Sequence, residues 1–315
     1  MTNPTIPASH LPTLRQLQFL AALAAHGGFV KAAEAVGVAQ PSLSAGIKEL
    51  EAVLGVSLVD RTRAGAVLTP AGQEAAARAA SILTDVEELA RALRGAGAPL
   101  TGPFRLGAIP TIAPFLLPRA LPLLRANCPE LQLQLREETT ARLVEALRAR
   151  TLDAAVIALP YEASGIETLA FAEDEFLLAC PTRHPLAGRN DLMPDQISPD
   201  ELLLLEDGHC LRDQALSVCR APAPGRRLAE IGATSLHTVV QMVAGGMGVT
   251  LLPKLAASAG IARGTDVVVQ AFNEPVIGRS LGIAWRANGP RTQDAKLLAV
   301  ILAQAVAMTS ASLAG

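Results

Sequence analysis

The sequence predicts a helical N-terminal domain followed by an α/β domain, and three observations support this fold class. Up to about residue 69, apolar residues recur at helical spacing and are interrupted by glycines. Residues 70–94 form one long amphipathic helix pattern, which ends in a break rich in glycine and proline. After the break, short apolar strands alternate with helical segments, which predicts a parallel sheet wrapped by helices.

The composition excludes several classes of protein. Half of the 315 residues are hydrophobic and 18% are charged, which excludes a disordered chain. The N-terminus lacks a signal-peptide pattern, and the longest apolar run near the C-terminus is too short for a bilayer, so we expect a cytoplasmic protein without a membrane partner. No cofactor motif is visible. The four cysteines are Cys128, Cys180, Cys210 and Cys219. No two of them form a C-x-x-C pair, which disfavours a metal site.

The first three helices are predicted from their caps and apolar stripes. Thr13 is an N-cap for a first helix that ends before Gly27. A short second helix follows, with apolar residues at Val30, Ala33 and Val36. Pro41 then stands at the first position of a third helix, whose buried stripe is Leu43, Ile47, Leu50 and Leu54. This arrangement predicts a helix-turn-helix.

The side of the third helix that faces away from its stripe has the composition of a DNA-reading surface. An amide can read base edges, hydroxyls can bind phosphates, small residues allow close approach, and one cation adds attraction. The candidate residues are Gln40, Pro41, Ser42, Ser44 and Lys48. An ordinary solvated helix face would have a similar composition. The net charge of −2 does not favour a nucleic-acid partner either, so this prediction depends on pattern alone.

The long helix is predicted to need a partner helix. Thr69 caps it and Pro70 opens it. About 25 helical residues span nearly 40 Å, and only one side is apolar. That stripe consists of Ile82, Val86, Leu89 and Leu93.

The remaining chain alternates strands and helices in two sets. The first set is expected as strand, helix, strand, helix and strand over 104–108, 114–127, 131–137, 141–150 and 154–159. The second set extends to about residue 272, after which a strand over 279–286 returns to the first sheet and a helix over 293–310 closes it. We therefore expect two lobes, one of about 99–172 with 277–315 and one of about 173–276. A cleft between lobes is the default ligand site.

The stretch Leu202–Arg220 places two cysteines at the two ends of one short predicted helix. A buried strand pattern leads into a turn, after which Cys210 opens the helix. A cysteine in a first turn faces unpaired N–H groups, and the adjacent histidine and a nearby arginine also favour its thiolate. Cys219 lies in the apolar stripe of this helix. Nine helical residues separate the two positions by roughly 13 Å, whereas a disulfide requires Cα atoms within about 7 Å.

This pair can form a disulfide only if the helix is dismantled and Cys219 leaves the core. Such a rearrangement is the physical description of a redox switch. Alternatively, both cysteines are small buried hydrophobic residues without a redox role. Spacing alone does not decide between the two interpretations.

Two segments resemble a known family. The run AAEAVGVAQPSLSAGIKELEAVLGVSLVDRT, followed by LTPAG, is similar to the N-terminal signature of LysR-type transcriptional regulators. The segment EDGHCLRDQA, with the second cysteine after it, resembles the sensor of OxyR, the peroxide-sensing branch of that family. The resemblance implies a winged helix-turn-helix domain over 1–69 and a linker helix with hinge over 70–98 that pairs subunits. It also implies a regulatory α/β domain over 99–315 with two lobes of the periplasmic-binding-protein type.

In the N-terminal domain, the resemblance implies that the five candidate residues of the third helix contact DNA. It also implies a small wing over 57–69, whose Arg61 and Arg63 reach the DNA backbone. Many relatives carry a basic residue where Ala64 stands, so we expect the wing to bind DNA more weakly here.

In the sensor, the resemblance implies that Cys210 reacts with peroxide and that Cys219 resolves the product. Thr111 and Thr140 are then expected to bound the peroxide pocket together with Cys210. Each precedes or opens a predicted helix, so plain N-capping is the alternative explanation for both threonines.

Four further residues complete the implied pocket. His209, Arg212 and Asp213 are expected to shape it, and Arg279 is expected to support the thiolate. Glu230 stands where a histidine is expected in the family. The hydrogen bonds of the rearranged region are therefore expected to differ.

The resemblance therefore implies a transcription activator that senses hydrogen peroxide and controls antioxidant genes. Its expected partners are operator DNA, RNA polymerase, a cytoplasmic dithiol reductant and further copies of the chain, as a homodimer that assembles into a homotetramer. One alternative is a LysR-type regulator whose cleft binds an organic effector. A cysteine thiol peroxidase is the alternative of another class, although catalysis has no need of a helix-turn-helix. The intact mass after stoichiometric peroxide distinguishes them, because only a switch loses two hydrogens per chain and then stops.

Overall fold

The computed structural model describes residues 11–62, 65–93, 99–219, 233–273 and 277–311. The chain divides into two compact units, Met1–Ala96 and Gly97–Gly315. Among the described residues, no helix has both the length and the apolar character that a membrane crossing requires. Arg63, Ala64 and Glu230 lie outside the described residues, and so do the side chains of Arg61 and Leu93.

The N-terminal unit confirms the predicted helical domain. Its elements are α1 (Leu14–His26), α2 (Phe29–Ala35), α3 (Gln40–Leu54), β1 (Val59–Thr62), β2 (Gly65–Leu68) and α4 (Pro70–Leu93). Thr13 caps α1 as predicted, because its hydroxyl accepts from the N–H of Gln16 and the Gln16 side chain accepts from the N–H of Thr13. β1 and β2 pair as an antiparallel hairpin at the position of the expected wing.

The apolar stripes of α1 and α3 pack together in the core of this unit. Leu20, Leu43 and Ile47 are completely buried there. Gly46 permits close packing, because a Cβ at this position would lie 2.5 Å from the ring of Phe19. Two members of the predicted apolar stripes, Val30 and Leu54, are instead 59% and 42% exposed. Val30 is the second residue of α2 and Leu54 is the last residue of α3, so both stand at helix ends.

Hydrogen bonds attach the hairpin and α4 to this core. One carboxylate oxygen of Glu51, on α3, accepts from the N–H groups of Leu58 and Val59 at 2.7 and 3.1 Å. The hydroxyl of Thr69 accepts from the N–H of Gly72 at 2.9 Å, so Thr69 caps α4 as predicted. These bonds fix both ends of the hairpin relative to the helices.

The C-terminal unit confirms the predicted α/β domain. Its strands are β3 (Gly102–Ala108), β4 (Leu131–Glu137), β5 (Ala154–Leu159), β6 (Ile166–Pro181), β7 (Thr250–Pro253), β8 (Val267–Ala271) and β9 (Gly278–Arg286). Its α-helices are α5 (Ala113–Asn127), α6 (Thr140–Arg148), α7 (Cys210–Val218), α8 (Leu236–Ala244), α9 (Lys254–Ser258) and α10 (Thr292–Ala311).

The sheet is mixed rather than parallel, which corrects the prediction. The strands join in the order β4-β3-β5-β9-β6-β7, and β8 also pairs with β6. β3 is parallel to β4 and β5, whereas every other pairing is antiparallel. The chain moves outward through β6 and returns through β9, so these two adjacent strands run in opposite directions. The sequence predicts the return of β9 to the first sheet, but local alternation of strands and helices carries no information about the relative direction of β6 and β9.

The 16-residue strand β6 belongs to two parts of the sheet. Its residues 166–175 pair with β9, in the part that we call the first sheet together with β3, β4 and β5. Its residues 176–181 pair with β7 and β8, in the part that we call the second sheet. A separate apolar cluster packs on the second sheet and includes Cys180, Leu204, Ala215, Cys219 and Leu251.

Candidate functional site

The segment that precedes α7 holds Cys210 at a fixed place. Leu202 and Leu205 are buried and form parallel bridges with Val249 and Ala233. The following turn contains Gly208 at a φ of +93°, a conformation that side chains with a Cβ rarely adopt. α7 then begins at Cys210, as predicted.

Thr140 contacts the sulfur of Cys210. Its Oγ1 lies 2.9 Å from the Sγ of Cys210, and either atom could be the donor. Thr140 is the first residue of α6, whereas Thr139 holds the N-cap position and makes no side-chain cap bond. The hydroxyl of Thr140 therefore bonds a thiol instead of capping a helix.

Thr111 is held by Arg279. The Nη1 of Arg279 donates to the Oγ1 of Thr111 at 2.9 Å, and its Nη2 donates to the carbonyl oxygen of Thr111 at 3.1 Å. Thr111 precedes Ile112, which holds the N-cap position of α5. Capping thus explains neither threonine. Arg279 itself forms a buried ion pair with Asp174 at 3.0 Å.

The two threonines meet because of sheet topology. β3 and β4 are parallel neighbours, and Thr111 and Thr140 follow their carboxyl ends. Such ends lie at the same edge of a sheet, where α/β proteins form ligand sites. The resulting cavity has a volume of about 10 Å³, roughly the space that one water molecule needs, and is lined by Ile109, Pro110, Thr111, Thr139, Thr140, Gly208, His209 and Cys210. It suits a molecule of only a few atoms.

Cys219 has a different environment. It stands at the C-cap position of α7, is 5% exposed, and belongs to the apolar cluster on the second sheet. Burial raises the pKa of its thiol to about 11. Both cysteines are free, and the helix between them separates their Cα atoms by roughly 13 Å. A disulfide between them requires α7 to open.

Three predicted pocket residues do not line the cavity, and one of them is Arg279, which contacts Thr111 instead. Arg212 donates to the carbonyl oxygen of Leu205 at 3.0 Å and pairs with Asp207 at 2.8 Å, so it holds the turn before α7. Asp213 lines a second, wider cleft on another side of Cys210. That cleft has a volume of about 480 Å³, and its other lining residues include Tyr161, Phe176, Gln214 and Ser217.

Asp174 was missed in the sequence analysis, although a signal for it exists. It alternates with Phe176 and Leu178, which are both completely or almost completely buried. Period-two alternation in a strand therefore puts this carboxylate on the buried side. A buried acidic residue requires a cationic partner, and Arg279 is its direct cross-strand neighbour on β9.

The candidate DNA-reading surface lies on the exposed side of α3. Gln40, Pro41, Ser42 and Lys48 are exposed and Ser44 is half-buried, whereas the opposite side of α3 is in the core. On α4, Ile82 and Leu89 are 44% and 59% exposed and Val86 is half-buried. Large apolar side chains thus remain uncovered on α4 in a single chain.

Comparison with known families identifies the class of protein. Residues 14–73 match the model of the bacterial regulatory helix-turn-helix protein of the lysR family, and residues 97–307 match the LysR substrate binding domain. The chain therefore belongs to the LysR family of bacterial transcription regulators.

Individual relatives narrow this assignment to the OxyR branch. The chain is 41% identical over 295 residues to a probable hydrogen peroxide-inducible genes activator of Streptomyces viridosporus, with 94% of this chain and 95% of that protein covered. Full-length OxyR of Pseudomonas aeruginosa with one cysteine changed to aspartate has a TM-score of 0.75 and 33% identity, with 92% and 94% covered. A hydrogen-peroxide-bound OxyR mutant of Corynebacterium glutamicum has a TM-score of 0.66 and 34% identity, with 96% and 97% covered. The predicted membership of the OxyR branch is confirmed.

Proposed function

We propose that the chain senses hydrogen peroxide by reversible formation of a Cys210–Cys219 disulfide and thereby controls antioxidant genes. One observation supports this most strongly: the Cys210 thiol contacts the Thr140 hydroxyl in a cavity sized for a very small ligand. Threonine hydroxyls can hold a peroxide and the sulfur together without reacting themselves. The peroxide-bound mutant of the C. glutamicum relative is consistent with this use.

The first step is attack of the Cys210 thiolate on one peroxide oxygen. An S–O bond forms, the O–O bond breaks, and the electron pair leaves on the other oxygen as hydroxide. That hydroxide takes a proton and departs as water, while Cys210 becomes a sulfenic acid. Hydroxyl donors stabilise charge that develops during such a step. In the proposed step, Thr140 donates to the sulfur and Thr111 donates to the leaving oxygen.

The second step joins the two cysteines. The Cys219 sulfur attacks the sulfenic sulfur, an S–S bond forms, and the sulfenic oxygen leaves as water. Since α7 keeps the two cysteines too far apart, the helix must open first and remove Leu211 and Ala215 from the core. A separate reduction resets the switch: a cytoplasmic dithiol is oxidised to its own disulfide while both cysteines regain their hydrogens.

The rearrangement is then read out on DNA. The exposed side of α3 is proposed to read operator DNA, with Gln40 and Ser42 at the entry of the helix and Lys48 further along. The uncovered stripe of α4 is proposed to pair two subunits, and the dimers are proposed to assemble into tetramers that contact RNA polymerase.

The domains are proposed to be 1–69, 70–98 and 99–315, and the chain is proposed to act in the cytoplasm. Among the described residues, no cluster of three or more potential metal ligands exists.

A mass measurement combined with operator binding tests this proposal. One equivalent of peroxide should remove two hydrogens from the reduced chain and change its affinity for operator DNA. Cys210→Ser should abolish both effects, whereas Cys219→Ser should react and stop at the sulfenic acid. Cys180→Ser is the matched control, because Cys180 is buried in the same cluster as Cys219. If Cys210→Ser responded to peroxide like the wild type, the proposal would be wrong.

A second candidate function uses the wider cleft beside Cys210. The Oε1 of Gln214 is buried there and accepts no hydrogen bond among the described residues. An organic effector could satisfy this acceptor and act without oxidation, as in a metabolite-responsive regulator. A chain of this kind would keep its mass after peroxide. A thiol peroxidase would instead consume many equivalents in the presence of a reductant, and the family to which the chain belongs is one of regulators.

A further inference from the structure

A buried carboxylate lies behind the small cavity without lining it. Asp174 on β6 is 2% exposed, and Arg279 on β9 is 3% exposed. The Oδ2 of Asp174 accepts from Nε and Nη2 of Arg279 at 3.1 and 3.0 Å. Its Oδ1 accepts from the N–H of Leu255 at 2.8 Å, at the start of α9. The carboxylate is therefore fixed on both oxygens.

We propose that Asp174 is a positioning residue for the reaction of Cys210 with peroxide. By holding the guanidinium of Arg279, it makes the Thr111 hydroxyl a donor into the cavity. This inference rests on the proposed function, because it concerns the leaving oxygen of the peroxide.

The donor and acceptor roles in the hydrogen bonds between Arg279 and Thr111 support this proposal. A guanidinium can only donate, so the Oγ1 of Thr111 must act as acceptor toward Arg279. The single hydrogen of that hydroxyl must then point elsewhere, and Thr111 is one of the residues that line the cavity. A peroxide oxygen beside Thr111 therefore meets a donor rather than an acceptor.

Arg279 needs Asp174 to keep this orientation. The guanidinium of Arg279 is a planar fork of N–H donors. On one edge, Nε and Nη2 bind the carboxylate of Asp174. On the other edge, Nη1 and Nη2 reach Oγ1 and the carbonyl oxygen of Thr111. In Asp174→Asn, the amide has one acceptor oxygen for two donors, the N–H of Leu255 and the guanidinium of Arg279, so it cannot hold both. A guanidinium that is no longer held on this edge can turn, and the Thr111 hydroxyl can then donate to another group. Asp174 acts through Arg279 and Thr111 alone, since the described cavity lining does not include it.

This role predicts a selective effect on peroxide chemistry. Breaking the O–O bond places charge on the leaving oxygen, which a hydroxyl donor stabilises. Alkylation by iodoacetamide also uses the Cys210 thiolate, but its leaving iodide has no need of Thr111. A loss of general structure would slow both reactions, whereas loss of the oriented donor slows only the reaction with peroxide.

The experiment compares two rates in the full-length reduced chain. Sulfenic acid formation at Cys210 is followed with dimedone and peroxide, and alkylation of Cys210 is followed with iodoacetamide at the same pH. We expect Asp174→Asn and Thr111→Val each to slow the peroxide reaction by about tenfold or more and to change alkylation less than about twofold. The double variant should be no slower than the slower single variant, because both changes remove the same donor. Thr111→Ser should restore the rate.

Glu175→Gln is the matched control. Glu175 is the adjacent carboxylate, but it pairs with the half-exposed Lys254 at 2.8 Å, so both rates should remain those of the wild type. If Asp174→Asn does not fold, Arg279→Lys replaces it, since lysine keeps a charge beside Asp174 but has no fork to reach Thr111. It should show the same selective loss.

Three outcomes would overturn this inference: an unchanged peroxide rate, an equal loss in both reactions, or losses that multiply in the double variant. The proposed function itself fails in a different way, namely if Cys210 of the wild-type chain does not react with peroxide faster than Cys128 and Cys180. A wild-type chain with a fast Cys210 and an unaffected Asp174→Asn variant would refute only the positioning role.

Discussion

Replacing Leu211 with alanine should shift the redox potential of the proposed disulfide, because Leu211 is packed in the core only while α7 exists. Leu211 is 4% exposed and follows Cys210 directly. A buried Leu→Ala change costs about 2–5 kcal/mol, and we take about 2–3 kcal/mol for this site near a helix end. If oxidation removes Leu211 from the core, this cost applies to the reduced state and not to the oxidised state.

The magnitude follows from the two-electron relation, in which about 30 mV corresponds to 1.4 kcal/mol. Destabilising only the reduced state favours the disulfide, so the midpoint potential of Leu211→Ala should become more negative by about 40–65 mV. The measurement is an equilibrium titration against dithiothreitol, with the Cys210–Cys219 peptide quantified by mass spectrometry. Leu106→Ala is the control, because Leu106 is completely buried on β3, outside the segment 202–219 that is proposed to rearrange.

An unchanged midpoint potential would contradict this prediction. If Leu211→Ala formed the same disulfide at the wild-type potential, Leu211 would keep its packing after oxidation. α7 would then tolerate the bond, and disulfide formation would not open the helix. Amide hydrogen exchange across residues 202–219 would give the same answer independently, as equal protection in both redox states.

Further predictions concern DNA binding, assembly and pH. Changing Gln40 and Ser42 together to alanine should weaken operator binding by about 1–3 kcal/mol, with little change for random DNA, as measured by fluorescence anisotropy; an unchanged ratio would exclude this surface. Leu89→Asp places a charge on the uncovered stripe of α4 and should yield monomers by sedimentation velocity, whereas an unchanged assembly would exclude the stripe as the pairing surface. Since burial raises the pKa of Cys219 to about 11, the folded state binds its proton more tightly than the unfolded state. The stabilisation is fully present below about pH 9 and is lost as the pH rises toward 11, by at most about 3 kcal/mol; urea titrations should show this slope, and Cys219→Ser should remove it.

Elements with local signals could be predicted from the sequence. The strands over 131–137 and 154–159 have the expected bounds, and α1 and α7 begin where Thr13 and the turn before Cys210 place them. In each case a cap, a glycine or an alternation of apolar residues acts within a few positions. Because these signals lie within short stretches of sequence, the resemblance to the OxyR branch could also be recognised from short segments.

Features that depend on distant partners could not be predicted. The antiparallel pairing of β6 with β9 joins residues more than 100 positions apart, and the ion pair of Asp174 with Arg279 follows from it. The partner of Arg212 is Asp207, although the same pattern equally allows contact with the thiol. A helical stripe also shows which side is apolar, but not where the neighbouring helix ends, as Val30 and Leu54 illustrate.

The burial of Cys219 has a consequence for the range of peroxide doses that the proposed sensor can report. Once Cys210 is a sulfenic acid, two reactions compete: local opening of α7, which occurs on the microsecond-to-second timescale, and attack by a second peroxide molecule, whose rate rises with dose. Opening leads to a disulfide that a dithiol can reverse, whereas the second peroxide gives a sulfinic acid that it cannot. The free energy that keeps Cys219 in its apolar cluster therefore sets a ceiling concentration. Above that peroxide concentration, a fraction of the protein molecules is irreversibly oxidised and can no longer respond.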